Sequence, residues 1–164
     1  MLFRIKDGYY VLQRKILVRK KDILLDSLFL QIYNQQKFSN WITQKPFVEL
    51  IYKNNKFDVG TISTLKFGFF PFSYSFISRK VEKNKYIEAE IIGRFEGKIT
   101  SNFIENEETI MLEHTIYIKG KNKFTNVYYL FAGAIPHTPY MKSREKLMIK
   151  NAMIDSKKGV EENA

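Results

Sequence analysis

Two histidines, ten tyrosines, a few serines and no cysteine set the chemistry open to this chain of 164 residues. His114 lies within "TIMLEHTIYI" (109–118), where Ile110, Leu112, Ile116 and Ile118 alternate with Met111, Glu113, Thr115 and Tyr117. A period of two marks a β-strand with one buried face. His114 shares the parity of the isoleucines, and a titratable ring placed there needs a hydrogen-bond partner. As chemistry, it is an anchor for a ligand, or a general base working with Tyr74 or Ser101 in an apolar pocket. As structure, it is a core histidine bonded to Ser101 or to a backbone group. Burial lowers the basicity of an imidazole and a nearby carboxylate raises it, so its surroundings decide between these roles.

Other chemistries lack their residues. Without cysteine there is no thiolate nucleophile, no disulfide and no Cys-based metal centre. His137 is bracketed by Pro136 and Pro139, and no His–x–x–x–His or Glu–x–x–His spacing builds a metal site. No serine sits in Gly–x–Ser–x–Gly, and "GRFEGK" (93–98) lacks the glycine spacing and following helix of a dinucleotide fingerprint. No catalytic metal and no cofactor are expected.

The elements that would position His114 follow from periodicity. "YYVLQRKILV" (9–18) reads as a first strand. From Asp22, a plausible N-cap, Ile23, Leu24, Leu25, Leu28, Phe29, Ile32 and Tyr33 recur at helical spacing, and a short second helical turn over 35–40 ends near Trp41. Beyond Pro46 the pattern is of strands, over 47–53, 59–67, 72–82, 86–95, 97–105 and 109–119. "EKNK" (82–85) and "ENEE" (105–108) serve as hairpin links that make neighbours antiparallel. One face carries Ile87, Ala89, Ile91, Phe95, Ile99, Ser101, Phe103, Ile110, Leu112, His114 and Ile116. The other carries Glu88, Glu90, Arg94, Lys98, Thr100, Asn102 and Glu113. Residues 124–135 read as an apolar helix, Pro136 and Pro139 force a break, and a helix resumes from Tyr140 with Leu147, Met148, Asn151, Ala152 and Asp155 three and four apart.

These elements amount to an α+β domain: a curved antiparallel sheet of about seven strands, short helices after the first strand, and a long C-terminal helix that covers the apolar face. Length and 45% hydrophobic content suit one domain over 1–164, with about 1–8 and 158–164 loose. "MLFRIKDGYYVLQRK" carries no signal-like apolar run and no later stretch is long enough to span a bilayer, so a cytoplasmic location is expected. The net charge of +10 favours phosphate-rich surroundings, including transient contact with an anionic membrane surface. The basic residues are nevertheless spread from Arg4 to Lys158, and specific nucleic-acid binding is not expected.

The order of elements resembles the START-like, polyketide cyclase and dehydrase superfamily (SRPBCC). "VGT" (59–61) precedes the aromatic strand and its three successors, "GRFEG" (93–97) stands like the turn between the central strands, and Trp41 stands like the tryptophan after the first helix. The resemblance implies a helix-grip fold whose hydrophobic cavity holds a lipid, sterol, polyketide, quinone or aromatic metabolite, and in some branches an enzyme. Many such proteins carry tryptophan at the position of His114, so the histidine is a departure.

A strongly bent sheet gripping a helix leaves a hollow, the usual ligand site. The expected function is therefore binding of a hydrophobic small molecule there, with Tyr74, Phe76, Ile91, Phe95, Ile99, Ser101, Leu112, His114, Ile116, Leu147 and Met148 as its wall. The aromatic connection 67–71 would form a lid or a membrane-touching loop. The alternatives are a cyclase or dehydratase using His114 with Tyr74 or Ser101, and a basic adaptor that binds membrane or nucleic acid by charge.

Overall fold

The computed structural model describes residues 2–68, 72–129 and 135–161. Its strands are β1 (Leu2–Lys6), β2 (Tyr9–Arg19), β3 (Val48–Tyr52), β4 (Ile62–Phe67), β5 (Phe72–Glu82), β6 (Tyr86–Ile92), β7 (Phe95–Glu105) and β8 (Thr109–Gly120). They form one antiparallel sheet in the order β1-β2-β8-β7-β6-β5-β4-β3. Helices α1 (Leu25–Tyr33) and α2 (Gln35–Ile42) follow β2, and α3 (Lys123–Tyr129) and α4 (Ile135–Glu161) follow β8. The architecture is the expected α+β helix-grip, with eight described strands instead of about seven.

The additional strand is β1, in the stretch expected to be loose. Asp7 and Gly8 both take positive φ, 50° and 78°, as the two-residue turn of a tight hairpin requires, and Leu2–Lys6 pairs back onto β2. Helix α1 also starts later than its apolar spacing suggests. Asp22 is drawn into an ion pair with Arg19 at 2.8 Å, and Leu24, with no capping side chain, stands at the N-cap. Its backbone N–H donates instead to Ser156 Oγ of α4 at 2.9 Å. A tertiary contact thus replaces the local cap.

The prolines do not break the C-terminal helix. Helix α4 begins at Ile135 and contains both Pro136 and Pro139. Pro136 falls in the first turn, where backbone N–H groups have no partner within the helix, and Pro139 removes one bond near the start. Residues 130–134, inside the helix expected over 124–135, lie outside the described residues. So do 69–71 of the supposed lid.

The sheet coils so that its concave face receives α1, α2 and α4. Even-numbered residues of β2 (Tyr10, Leu12, Ile16, Val18) and β8 (Ile110, Leu112, Ile116, Ile118) are buried, as are Ile87, Ala89, Ile91 of β6 and Phe103 of β7. Phe29 of α1 meets Phe103 edge-on at 5.4 Å, and Trp41 Nε1 donates to the Gln31 carbonyl at 2.7 Å. Asp155 of α4 accepts from Gln31 Nε2 at 2.7 Å and from Lys37 Nζ at 2.6 Å. These bonds fasten the far end of α4 to the two short helices. Toward its start, α4 stands over the middle of the sheet without filling the space beneath it.

Candidate functional site

That space is a cavity of about 410 Å³ between the concave sheet, α2 and α4. Its wall is mostly aromatic and aliphatic, with Trp41 and Phe38 of α2, Phe76 of β5 and Met141 and Met148 of α4 among its members. The mismatch between a bent sheet and a straight cylinder produces it, since side chains of ordinary size cannot reach across the gap.

Polar groups are gathered in one transverse row. Arg14 of β2 pairs in register with His114 of β8, which pairs in register with Ser101 of β7. All three point to the concave side. Ser101 Oγ lies 2.9 Å from His114 Nδ1. Nδ1 is thereby occupied, and Nε2 is the nitrogen left for other partners. His114 is half-buried because its ring forms part of the cavity wall. Burial, reinforced by the Arg14 cation, lowers its pKa to about 4, so the ring is neutral at ordinary pH.

Arg14 faces Glu145 of α4, with Nε and one terminal guanidinium nitrogen against the two carboxylate oxygens. Their side chains are only 14% and 10% exposed. An ion pair of this kind suits a partly buried site, because each charge compensates the other. Glu145 also reaches the cavity wall. Neither residue was foreseen, although both signals are in the chain. Arg14 has the parity of Tyr10, Leu12, Ile16 and Val18, and Glu145 falls between Met141 and Met148 on the inward stripe of α4.

Three tyrosines add hydroxyls. Tyr74 lines the cavity from β5, and burial, with Tyr140 nearby, holds its phenol well above the ordinary value. Tyr140 donates to the Ile42 carbonyl, and burial pushes its pKa up to about 12. Tyr129 of α3 is likewise raised by burial. All three are neutral phenols that can exchange hydrogen bonds but do not ionise near neutrality.

The charge of the wall contrasts with that of the chain. Of 27 Lys and Arg residues, none is among the described lining residues, and the one acidic lining residue, Glu145, is matched by Arg14. No group of three or more metal-ligating side chains occurs among the described residues.

Of the residues expected at the site, Tyr74, Phe76, Ile99, Ser101, Leu112, His114, Ile116 and Met148 line the cavity. Ile91, Phe95 and Leu147 do not. Ile91 and Phe95 belong to a smaller packed cluster with Tyr10, Leu12, Ile118 and Tyr129, where the Tyr129 ring caps that end of the sheet 5.6 Å from Phe95. Leu147 is one helical step from Met148 and is turned about 100° away from the hollow. The side chain of His137 lies outside the described residues. Gln35, at the start of α2, also lines the cavity and was not foreseen.

No protein-family model matches the sequence, and the comparison with curated proteins finds no match. Solved structures do match. Norcoclaurine synthase from Thalictrum flavum, in complex with dopamine and hydroxybenzaldehyde, is 15% identical and superposes with a TM-score of 0.58, covering 87% of each chain. Protein Ms6760 from Mycobacterium smegmatis is 9% identical with a TM-score of 0.59 over 94% of each chain. The Aha1 dimer from Colwellia psychrerythraea is 14% identical with a TM-score of 0.54, over 81% of this chain and 91% of its own. At these identities the likeness establishes the helix-grip fold.

Proposed function

We propose that this chain binds an uncharged, largely hydrophobic small molecule in the cavity between its sheet and α4, with His114 as a polar anchor. The observation that carries this reading is the cavity itself: about 410 Å³ walled mainly by aromatic and aliphatic side chains, with no cation among its described lining residues. An anionic headgroup would find no cation among the described lining residues, and burying a charge without a compensating one is costly. An apolar body gains about 25 cal/mol per Å² removed from water. That the norcoclaurine synthase structure of the same fold holds dopamine and hydroxybenzaldehyde supports a ligand of aromatic-metabolite size.

Neutral His114 offers Nε2, and Tyr74 a phenol, to a hydroxyl or carbonyl on the ligand. A lipid, polyketide or quinone fits this description. Contact with an anionic membrane surface would deliver such a molecule at Phe47, which is 50% exposed and also lines the cavity.

An enzyme of the cyclase or dehydratase kind would use the same polar row. With its pKa lowered to about 4 by burial, His114 is a feeble base at neutral pH and serves hydrogen bonding better than proton abstraction. Binding is therefore the preferred function. Mass spectrometry of small molecules released from the natively purified protein tests it. A neutral hydrophobic compound in stoichiometric amount is expected. Folded protein that releases none and takes up no apolar dye would sink the proposal.

A further inference from the structure

Helix α3 and the turn that leads into it from β8 present an apolar and basic surface to solvent. Thr125 and Tyr129, four residues apart, share the buried side of α3, and Tyr129 reaches the cavity wall. Phe124 and Val127, three apart, share the opposite side and are 74% and 57% exposed. Single exposed apolar residues are ordinary, but two on one helical face beside a run of lysines form a patch. Lys121, Lys123 and Arg94 are all exposed, and the Lys121 N–H donates to the Arg94 carbonyl at 3.1 Å, which brings the β6–β7 turn to the same corner. The described acids there are Glu96, which pairs with Lys119 at 2.8 Å, and Asp7 of the neighbouring β1–β2 turn.

The patch is held in shape. Asn122 Oδ1 accepts from the Thr125 N–H at 2.8 Å, and Asn126 Oδ1 accepts from the Gly120 N–H at 3.2 Å. A Cβ at Gly120 would come within 2.3 Å of the Asn126 nitrogen, so turn and helix meet closely. The apolar pair and the cations are thus displayed together without the entropy loss of ordering a loose segment.

An apolar wedge flanked by cations fits the headgroup boundary of an anionic bilayer, where ring and isopropyl group meet acyl chains and ammonium groups meet phosphates. A nucleic acid would use the cations and leave Val127 in water. A second copy of the chain, seated symmetrically, would bring lysines against lysines. Neighbouring strands alternate in direction, so Phe47, just before β3, lies at the same end of the sheet as the close of β8. Phe47 is also the exposed member of the cavity wall.

We infer that α3 and the β8–α3 turn are a membrane anchor: Phe124 and Val127 enter an anionic bilayer while Arg94, Lys121 and Lys123 meet its phosphates, and the Phe47 end of the cavity is turned toward the lipid. That the anchor serves to load a hydrophobic ligand rests on the reading of the cavity above; the anchoring itself does not.

The test is sedimentation of the full chain with vesicles, either of phosphatidylcholine alone or with about 30% phosphatidylserine, at about 0.1 M salt. Binding to the anionic vesicles is expected to be at least about tenfold tighter. Lys121→Glu with Lys123→Glu should weaken it at least about tenfold, whereas Lys157→Glu with Lys158→Glu, the same charge change at exposed positions near the end of α4, should weaken it far less. Phe124→Ser should weaken it about tenfold, the effect of withdrawing one ring from the apolar layer, and Val127→Ser somewhat less. Both serine variants should take up the neutral dye N-phenyl-1-naphthylamine as the wild type does. Equal losses in the two charge-reversed proteins would mean that net charge alone attracts the chain, and would overturn the inference. So would binding indifferent to Phe124→Ser, or preference for duplex DNA or for a second copy over the vesicles. Folded protein that binds vesicles but takes up no dye would overturn the reading of the cavity and leave the anchor standing.

Discussion

Ser101 Oγ and His114 Nδ1 stand 2.9 Å apart across the β7–β8 ladder, on residues whose Cα atoms are paired in register. The bond turns the imidazole into a fixed part of the cavity wall and occupies Nδ1 rather than Nε2. The core reading of His114, a histidine bonded to Ser101, therefore holds, and the ring also lines the hollow.

Ser101→Ala should leave Nδ1 without its partner and cost about 1–2 kcal/mol of stability, read as a shift of the urea midpoint with unchanged slope. His114→Phe, which removes donor and acceptor together, should be milder. Its effect should appear as loss of preference for ligands bearing a polar group. Equal affinity changes for polar and wholly apolar ligands would remove His114 from the role of anchor.

Acid should destabilise the protein through the same ring. The unfolded imidazole titrates near 6.5 and burial lowers the folded one to about 4. Between these values the unfolded chain binds a proton that the folded chain does not. Stability is thus whole above about pH 6.5, declines as pH falls, and is fully lost from this source below about pH 4, by about 3 kcal/mol. The difference in unfolding free energy between His114→Gln and the wild type, measured at about pH 7 and about pH 4.5, should shift in favour of the variant at the lower pH.

The Arg14–Glu145 pair joins α4 to β2 beside the cavity. Removing one partner leaves a charge in a poorly hydrated place, so Arg14→Met or Glu145→Met should each cost about 3 kcal/mol. The double substitution should cost less than the sum of the two, and a double-mutant cycle from denaturant curves measures the coupling. Additive losses would mean that the two side chains act independently.

Ala89 of β6 is the smallest side chain among the described residues that line the cavity. Ala89→Leu should leave the melting temperature unchanged or raise it, while weakening uptake of an apolar dye at least tenfold by filling the site. A drop in stability with full uptake would place the empty volume elsewhere.

Gly97 tests the sheet. Its φ is 144°, and a Cβ there would come within 1.9 Å of the Tyr117 carbonyl oxygen. Gly97→Ala should cost more than about 2 kcal/mol, through backbone strain and a clash with an immobile neighbour. Gly93 also takes positive φ but has open space around it, so Gly93→Ala should cost less, from strain alone.

Much of this protein could be read along the chain, because a sheet with one wet face writes its register into alternate residues. Ile87, Ala89, Leu112 and Ile116 announce the concave side by parity, and His114 announces itself as the exception among them. Where the reading failed, the cause was non-local. Asp22 is a good cap by type, but Arg19 and Ser156 decide where α1 begins. Proline ends helices in general, but Pro136 and Pro139 lie at the start of α4, where few backbone bonds can be lost. Ile91 and Phe95 have the parity of cavity residues, yet Tyr129 closes their end of the sheet.

The sequence by itself determined which side chains face inward, because parity and helical spacing are local properties of the backbone. Only the tertiary structure decided which inward residues pack together and which enclose empty space. It also made Arg14 and Glu145, 131 residues apart, into one ion pair, and left Gln35 Nε2 without a partner. Those outcomes depend on how far a curved sheet stands from the helix it grips, and that distance emerges only when every element has taken its place.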